Sequence, residues 1–164
     1  MGFMNACAGK TFKIMVWGCV SYFGTGDLVF VDGNMNSQKY IQVLDNHLMP
    51  SVERLFGQNR WVLQEDNASI HKSRLTEEYK NNNHIPVLNW PAQSPDLNII
   101  ENVWLVLKRK VKRRVHLITS IEDLKRELLT AWENIPLVFI RSLYESLPRR
   151  LRKVLLHKGH ITKY

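Results

Sequence analysis

The chain has 164 residues, with 23 Lys plus Arg against 15 Asp plus Glu for a formal charge of +8, and 45% of it is hydrophobic. That suits one compact domain with a core, and 5 Trp, 6 Phe and 5 Tyr exclude a disordered or low-complexity chain. No run approaches the roughly 18 apolar residues of a membrane span, no signal peptide opens the chain, and Cys7 and Cys19 cannot make a disulfide framework or a zinc site, so a reducing compartment and no membrane partner are expected.

Residues 1–10 (MGFMNACAGK) do not read as a strand. Residues 13–21 (KIMVWGCVS) and 27–31 (DLVFV) do, and Gly24, Thr25 and Gly26 between them suggest the turn of a hairpin. A helix is expected from about Ser37, with Tyr40, Ile41, Leu44 and Leu48 at helical spacing; Pro50 should break or kink it, and a second piece should close at Gly57. Residues 61–65 (WVLQE) read as a strand ending in Asp66-Asn67, followed by a polar helix over 72–82 and a strand through Ile85, Val87 and Leu88 to Trp90. This β-α-β order predicts a parallel pair.

The loop 91–95 (PAQSP) should lead into a helix capped by Ser94, with Pro95 in its first turn and Leu97, Ile100, Trp104, Leu107 and Val111 as one apolar stripe. Ser120 looks like another helix cap, Pro136 opens a last helix, and Pro148 should interrupt it. The overall pattern is one α/β domain with a helical C-terminal part.

Charge follows this division. Residues 1–107 carry 8 basic and 10 acidic side chains, whereas 108–164 carry 15 and 5. The densest run is Lys108, Arg109, Lys110, Lys112, Arg113 and Arg114 (KRKVKRR), at the distal end of the long helix. It could track a polyanion such as a DNA backbone or act as a nuclear import signal, or it could simply complement the helix dipole.

Two acids stand apart from the surface charges. Asp66 ends a hydrophobic strand, the edge at which open α/β sheets build their sites. Glu101, four residues after Leu97 and three before Trp104, borders the apolar stripe and should be carried toward the sheet. Two converging carboxylates would need a cation such as Mg²⁺ or Mn²⁺, and metals held this way support in-line phosphoryl transfer. The plain alternatives are that Asp66 only ends a strand and that Glu101 pairs with Lys108 or a neighbouring helix.

Trp17-Gly18-Cys19, then residues 64–68 (QEDNA) with His71, and above all residues 90–98 (WPAQSPDLN) leading to Glu101 and Trp104, resemble the catalytic domain of Tc/mariner-type DDE transposases. The 34 residues between Asp66 and Glu101 match the Tc-like branch, as do Ile135-Pro136, residues 146–150 (SLPRR) and the ending 159–164 (GHITKY). The resemblance implies an RNase H-like fold, a mixed sheet flanked by helices, and a metal site of three acids: an Asp on the first strand, then Asp66, then Glu101. It also implies Mg²⁺ or Mn²⁺ as cofactor, DNA (transposon ends and target) as partner, a nuclear location, and allows a homodimer.

The sequence departs from that pattern at its start. No Asp precedes Asp27, and Asp27 and Asp32, which flank the second strand of the hairpin, have the wrong place in the order. The helix-turn-helix region of the family is absent from these residues. The expectation is therefore a catalytic domain truncated at its N-terminus, lacking the first strand and inactive alone, with a non-catalytic DNA-binding or co-opted remnant as the alternative.

Overall fold

Side chains alternate across a strand, and here that alternation decides which helices cover which face. In a computed structural model, which describes residues 2–7, 11–89 and 97–156, β1 (Gly2–Cys7), β2 (Thr11–Ser21) and β3 (Gly24–Val31) form an antiparallel sheet in that order. Ile14, Val16, Leu28 and Phe30 point into one core; Met15, Trp17, Val29 and Val31 point into another. The first core is filled by α4 (Ile99–Arg113), α5 (Ile121–Glu133) and α6 (Leu137–Leu156). The second takes α1 (Ser37–Val43), the π-helical turn Leu44–Leu48 and α2 (Met49–Phe56). The α/β class and the helical C-terminal part agree with the expectation.

Several local readings are corrected by packing. The hairpin turns at Tyr22-Phe23, with Ser21 paired to Gly24, so Gly24, Thr25 and Gly26 belong to β3. Gly26 is required there for a different reason: a Cβ would lie 2.3 Å from Cys19 Sγ. Residues without strand composition form β1, which pairs with β2 from Gly2–Val16 to Cys7–Thr11, because Met4 is buried in the first core and β2 offers it a ladder. The expectation of a domain lacking its first strand is corrected to this extent: β1 pairs along the outer edge of β2, and it is a strand that has no acid.

Pro50 does not break its helix. Met49 N–H donates to Leu44 C=O five residues back, and this wider turn sets Pro50 in the first turn of α2, where its missing donor is harmless. The helix then ends at Gly57, as expected, with φ +52°. Pro148 likewise lies inside α6, which runs on because Leu143 before it and Arg150 after it are both buried. The parallel pair is reduced to one bridge, Leu63 to Val87. α4 begins at Ile99, capped by Asn98, whose Oδ1 accepts from Ile100 N–H at 3.4 Å. Trp90, the 91–96 loop with Ser94 and Pro95, and the 159–164 ending lie outside the described residues.

Candidate metal and nucleic-acid site

The segment that carries Asp66 is held by little backbone pairing. Leu63 donates to Pro86 O at 2.7 Å and accepts from Leu88 N at 2.8 Å, and the chain then leaves for α3 (Arg74–Asn82), capped by Ser73. Side chains compensate. Glu65 and Lys80 form a buried ion pair, each side chain only 6% exposed. Tyr40 of α1 donates to Glu65 Oε2 at 2.6 Å, and Lys80 Nζ also donates to the His71 carbonyl at 2.9 Å. These bonds satisfy the two charges, on Glu65 and Lys80, that burial would otherwise penalise.

Asp66 is positioned by this cluster yet remains open to solvent, its side chain 60% exposed. Its Oδ1 lies 2.8 Å from His71 Nδ1 and accepts the Ala68 N–H at 3.1 Å. The hydrogen bond from His71, helped by that of Ala68 and opposed by desolvation, lowers the carboxyl pKa to about 2, so Asp66 is ionised at neutral pH. His71, which in sequence resembles a surface residue beside a turn, is buried and lies against the Tyr40 ring with centroids 4.4 Å apart.

Asp66 and His71 line a cavity of about 360 Å³ together with Trp17, Gly18, Asn98 that caps α4, and the first two residues of that helix, Ile99 and Ile100. The end of the 61–66 segment and the start of α4 therefore face one space. Glu101, the next residue of α4, is exposed and is not in the cavity wall, which corrects the reading that it borders the apolar stripe. The buried face is made by Ile99, Val103, Trp104, Leu107 and Val111, and Glu101 projects about 120° from its centre at 100° per residue.

Asp27 is occupied elsewhere. It accepts from Arg54 at 2.8 Å and meets His47 Nδ1 at 3.1 Å, which clamps β3 to the Leu44–Phe56 helical stretch. Desolvation opposes its ionisation, but Arg54 and His47 outweigh that and lower its pKa. Among the described residues no three His, Cys, Asp or Glu side chains group closely enough to hold a metal ion. Asp66 by itself fits a hard cation, being ionised, exposed and without a described donor on Oδ2.

The basic run divides by use. Lys110 donates to Asn134 O at 2.6 Å, and Arg114 pairs with Glu127 at 2.8 Å, so both tie α4 to α5. Lys108, Arg109, Lys112 and Arg113 are exposed and carry no ion pair among the described residues. Sequence reasoning missed Tyr40, Glu65 and Lys80. The available signal was weak: a charged Glu ending an apolar strand beside a helix whose Thr76 and Lys80 share one face four residues apart.

The model of the DDE superfamily endonuclease family matches residues 5–125. The chain is 36% identical over 152 residues to the Transposable element Tcb1 transposase of Caenorhabditis briggsae, covering 93% of this chain and 55% of that protein. It is 36% identical over 151 residues to the Transposable element Tc3 transposase of Caenorhabditis elegans, covering 92% and 46%. The chain thus spans about half the length of the relatives it matches. Its fold is that of the Mos1 transposase catalytic domain solved with Raltegravir and Mg, at a TM-score of 0.79 and 21% identity over 99% of this chain and 82% of that one. The Mos1 mariner paired end complex with Mn aligns at 0.82, with 22% identity over 92% and 45%. The ordered motifs, the two-faced sheet and these matches agree: the chain belongs to the DDE superfamily endonucleases, as a Tc/mariner transposase catalytic domain with the RNase H-like fold.

Proposed function

We propose that these residues serve divalent-metal-dependent cleavage and joining of DNA strands at transposon ends and target DNA. The observation that carries the reading is Asp66, an ionised carboxylate with one oxygen free of any donor among the described residues, at a cavity shared with the first turn of α4. Asp66 and Glu101 are the proposed ligands for Mg²⁺ or Mn²⁺. Such an ion supplies the charge that activates water or a 3′-hydroxyl and stabilises the leaving oxygen. Asp66 is held in place for this by the Tyr40–Glu65–Lys80 cluster through His71, while Glu101 stands in the first turn of α4, where partial positive charge favours a carboxylate. The Mos1 structures solved with Mg and with Mn, and the Mos1 paired-end complex with the left transposon end, support the same cation class and substrate for relatives of this fold.

The third carboxylate expected from the resemblance has no counterpart before Asp27, so the 164 residues alone are proposed to cleave poorly or not at all. The test is an oligonucleotide nicking and joining assay with Mn²⁺. Robust cleavage that disappears in Asp66→Ala and Glu101→Ala would keep the metal site and overturn the inactivity.

A second reading, a non-catalytic DNA-binding module, is favoured by the exposed Lys108, Arg109, Lys112 and Arg113. DNA affinity that does not fall as salt rises would sink it. Nuclear accumulation belongs to the same proposal; a fluorescent fusion whose distribution ignores neutralisation of these four residues would remove the import role.

A further inference from the structure

We propose that His71 is a positioning residue that fixes which oxygen of Asp66 meets the cation. Its Nδ1 lies 2.8 Å from Asp66 Oδ1 and 3.1 Å from the Asp66 carbonyl oxygen. Both of those atoms are acceptors, so Nδ1 carries the proton and donates to both. With the Ala68 N–H at 3.1 Å, Oδ1 receives two donors, and Oδ2, with none among the described residues, is the oxygen left for a cation. This inference rests on the metal reading of Asp66 given above.

The ring is well placed to hold that bond. It is 4% exposed, lies against Tyr40, and returns toward Asp66 through a turn in which His71 N–H donates to Ala68 O at 2.9 Å. Tyr40 is fixed by Glu65, Glu65 by Lys80, and Lys80 by the His71 carbonyl, so the support closes on itself. Nε2 is buried with no partner among the described residues, where the Asp66 contacts are the ring's only polar engagement. A carboxylate free to rotate presents either oxygen; one pinned at Oδ1 presents Oδ2 in a fixed direction, the usual contribution of hydrogen-bonded groups behind a metal ligand.

The test uses the whole 164-residue chain and Mn²⁺ as the probe. Imidazole ¹⁵N NMR of the metal-free protein should show His71 protonated at Nδ1; an unprotonated Nδ1 overturns the proposal. Mn²⁺ titration, with near-UV circular dichroism to confirm folding, should show His71→Leu weakening binding about 10-fold or more. His71→Asn, whose amide nitrogen reproduces Nδ1, should recover most of the loss, whereas His71→Gln, which reproduces Nε2, should not. A folded His71→Leu that binds Mn²⁺ as tightly as the unaltered chain, while Asp66→Asn binds weakly, overturns the positioning role and keeps the metal site. Equal affinity in the unaltered chain and Asp66→Asn overturns the metal reading and the proposal with it.

Discussion

Glu65 and Lys80, 15 positions apart, are both charged residues that composition assigns to the surface, and both are buried. The pair is worth little against an apolar replacement of similar volume, but breaking it is costly, because the remaining charge stays in a medium that cannot solvate it. Lys80→Met should therefore destabilise by about 3–5 kcal/mol in urea unfolding, and Glu65→Leu combined with it should cost less than Lys80→Met alone. Asp66 behaves differently because it is ionised and mostly exposed. Its pKa is lowered from 3.8 to about 2, so the stabilisation it gives is complete above the unfolded value and fades as pH falls from about 4 toward 2. Solvent screens that contribution, so it is small. The unfolding midpoints of the unaltered chain and Asp66→Asn should differ at pH 6, draw together as pH falls below about 4, and converge only below about pH 2. At this scale the sequence located Asp66 at the end of an apolar run, which is a local pattern. It hid the residues behind Asp66, since the contacts of Tyr40 and Lys80 with Glu65 exist only once three segments have packed.

Among the elements, those with local signals were legible and those set by packing were not. α5 could be read from Ser120 and Asp123, which form a reciprocal capping box: Asp123 N–H donates to Ser120 Oγ at 3.0 Å and Ser120 N–H donates to Asp123 Oδ2 at 3.0 Å. Ser120→Ala should cost about 1 kcal/mol, measurable by thermal unfolding. Pro50 and Pro148 were misread because proline propensity is a local penalty, and here a π-helical turn and flanking buried residues override it. The Trp17-Gly18-Cys19 string, quoted as a family mark, has a packing reason. A Cβ on Gly18 would stand 3.0 Å from the rings of both Trp104 and Trp132, which stack with centroids 5.4 Å apart. Gly18→Ala should cost about 1–3 kcal/mol by overpacking. Glu101 was misplaced by the same limit: spacing located its helix, but the rotation of that helix is decided by Val103 and Trp104 entering the core.

For the whole molecule, charge and architecture divide together. The acid at the cavity belongs to the slightly acidic first two thirds, and the four exposed cations stand on the helix that begins at the cavity and runs away from it. A polyanion lying along α4 would pass from Lys112 and Arg113 toward Asp66. Neutralising Lys108, Arg109, Lys112 and Arg113 together should lower the slope of log affinity against log salt by about 3 to 4, with Arg114 left in place to hold Glu127. The α/β class was legible from the order of strands and helices, and a sheet flanked by helices from the family resemblance, whereas β1 was not, because nothing in its composition anticipates that β2 recruits it.

The stacked indoles of Trp104 and Trp132 have an optical consequence. One belongs to α4 and the other to α5, their planes are inclined by 24°, and Trp132 is further fixed by its Nε1–H bond to Gly26 O at 2.9 Å. Two chromophores so close and inclined couple electronically, giving the folded protein a paired positive and negative circular-dichroism band that an isolated indole lacks. Trp104→Phe should abolish that couplet. Because Glu101 rides on the same helix, the couplet reports, without DNA or metal, whether the helix carrying the second carboxylate is docked on the sheet.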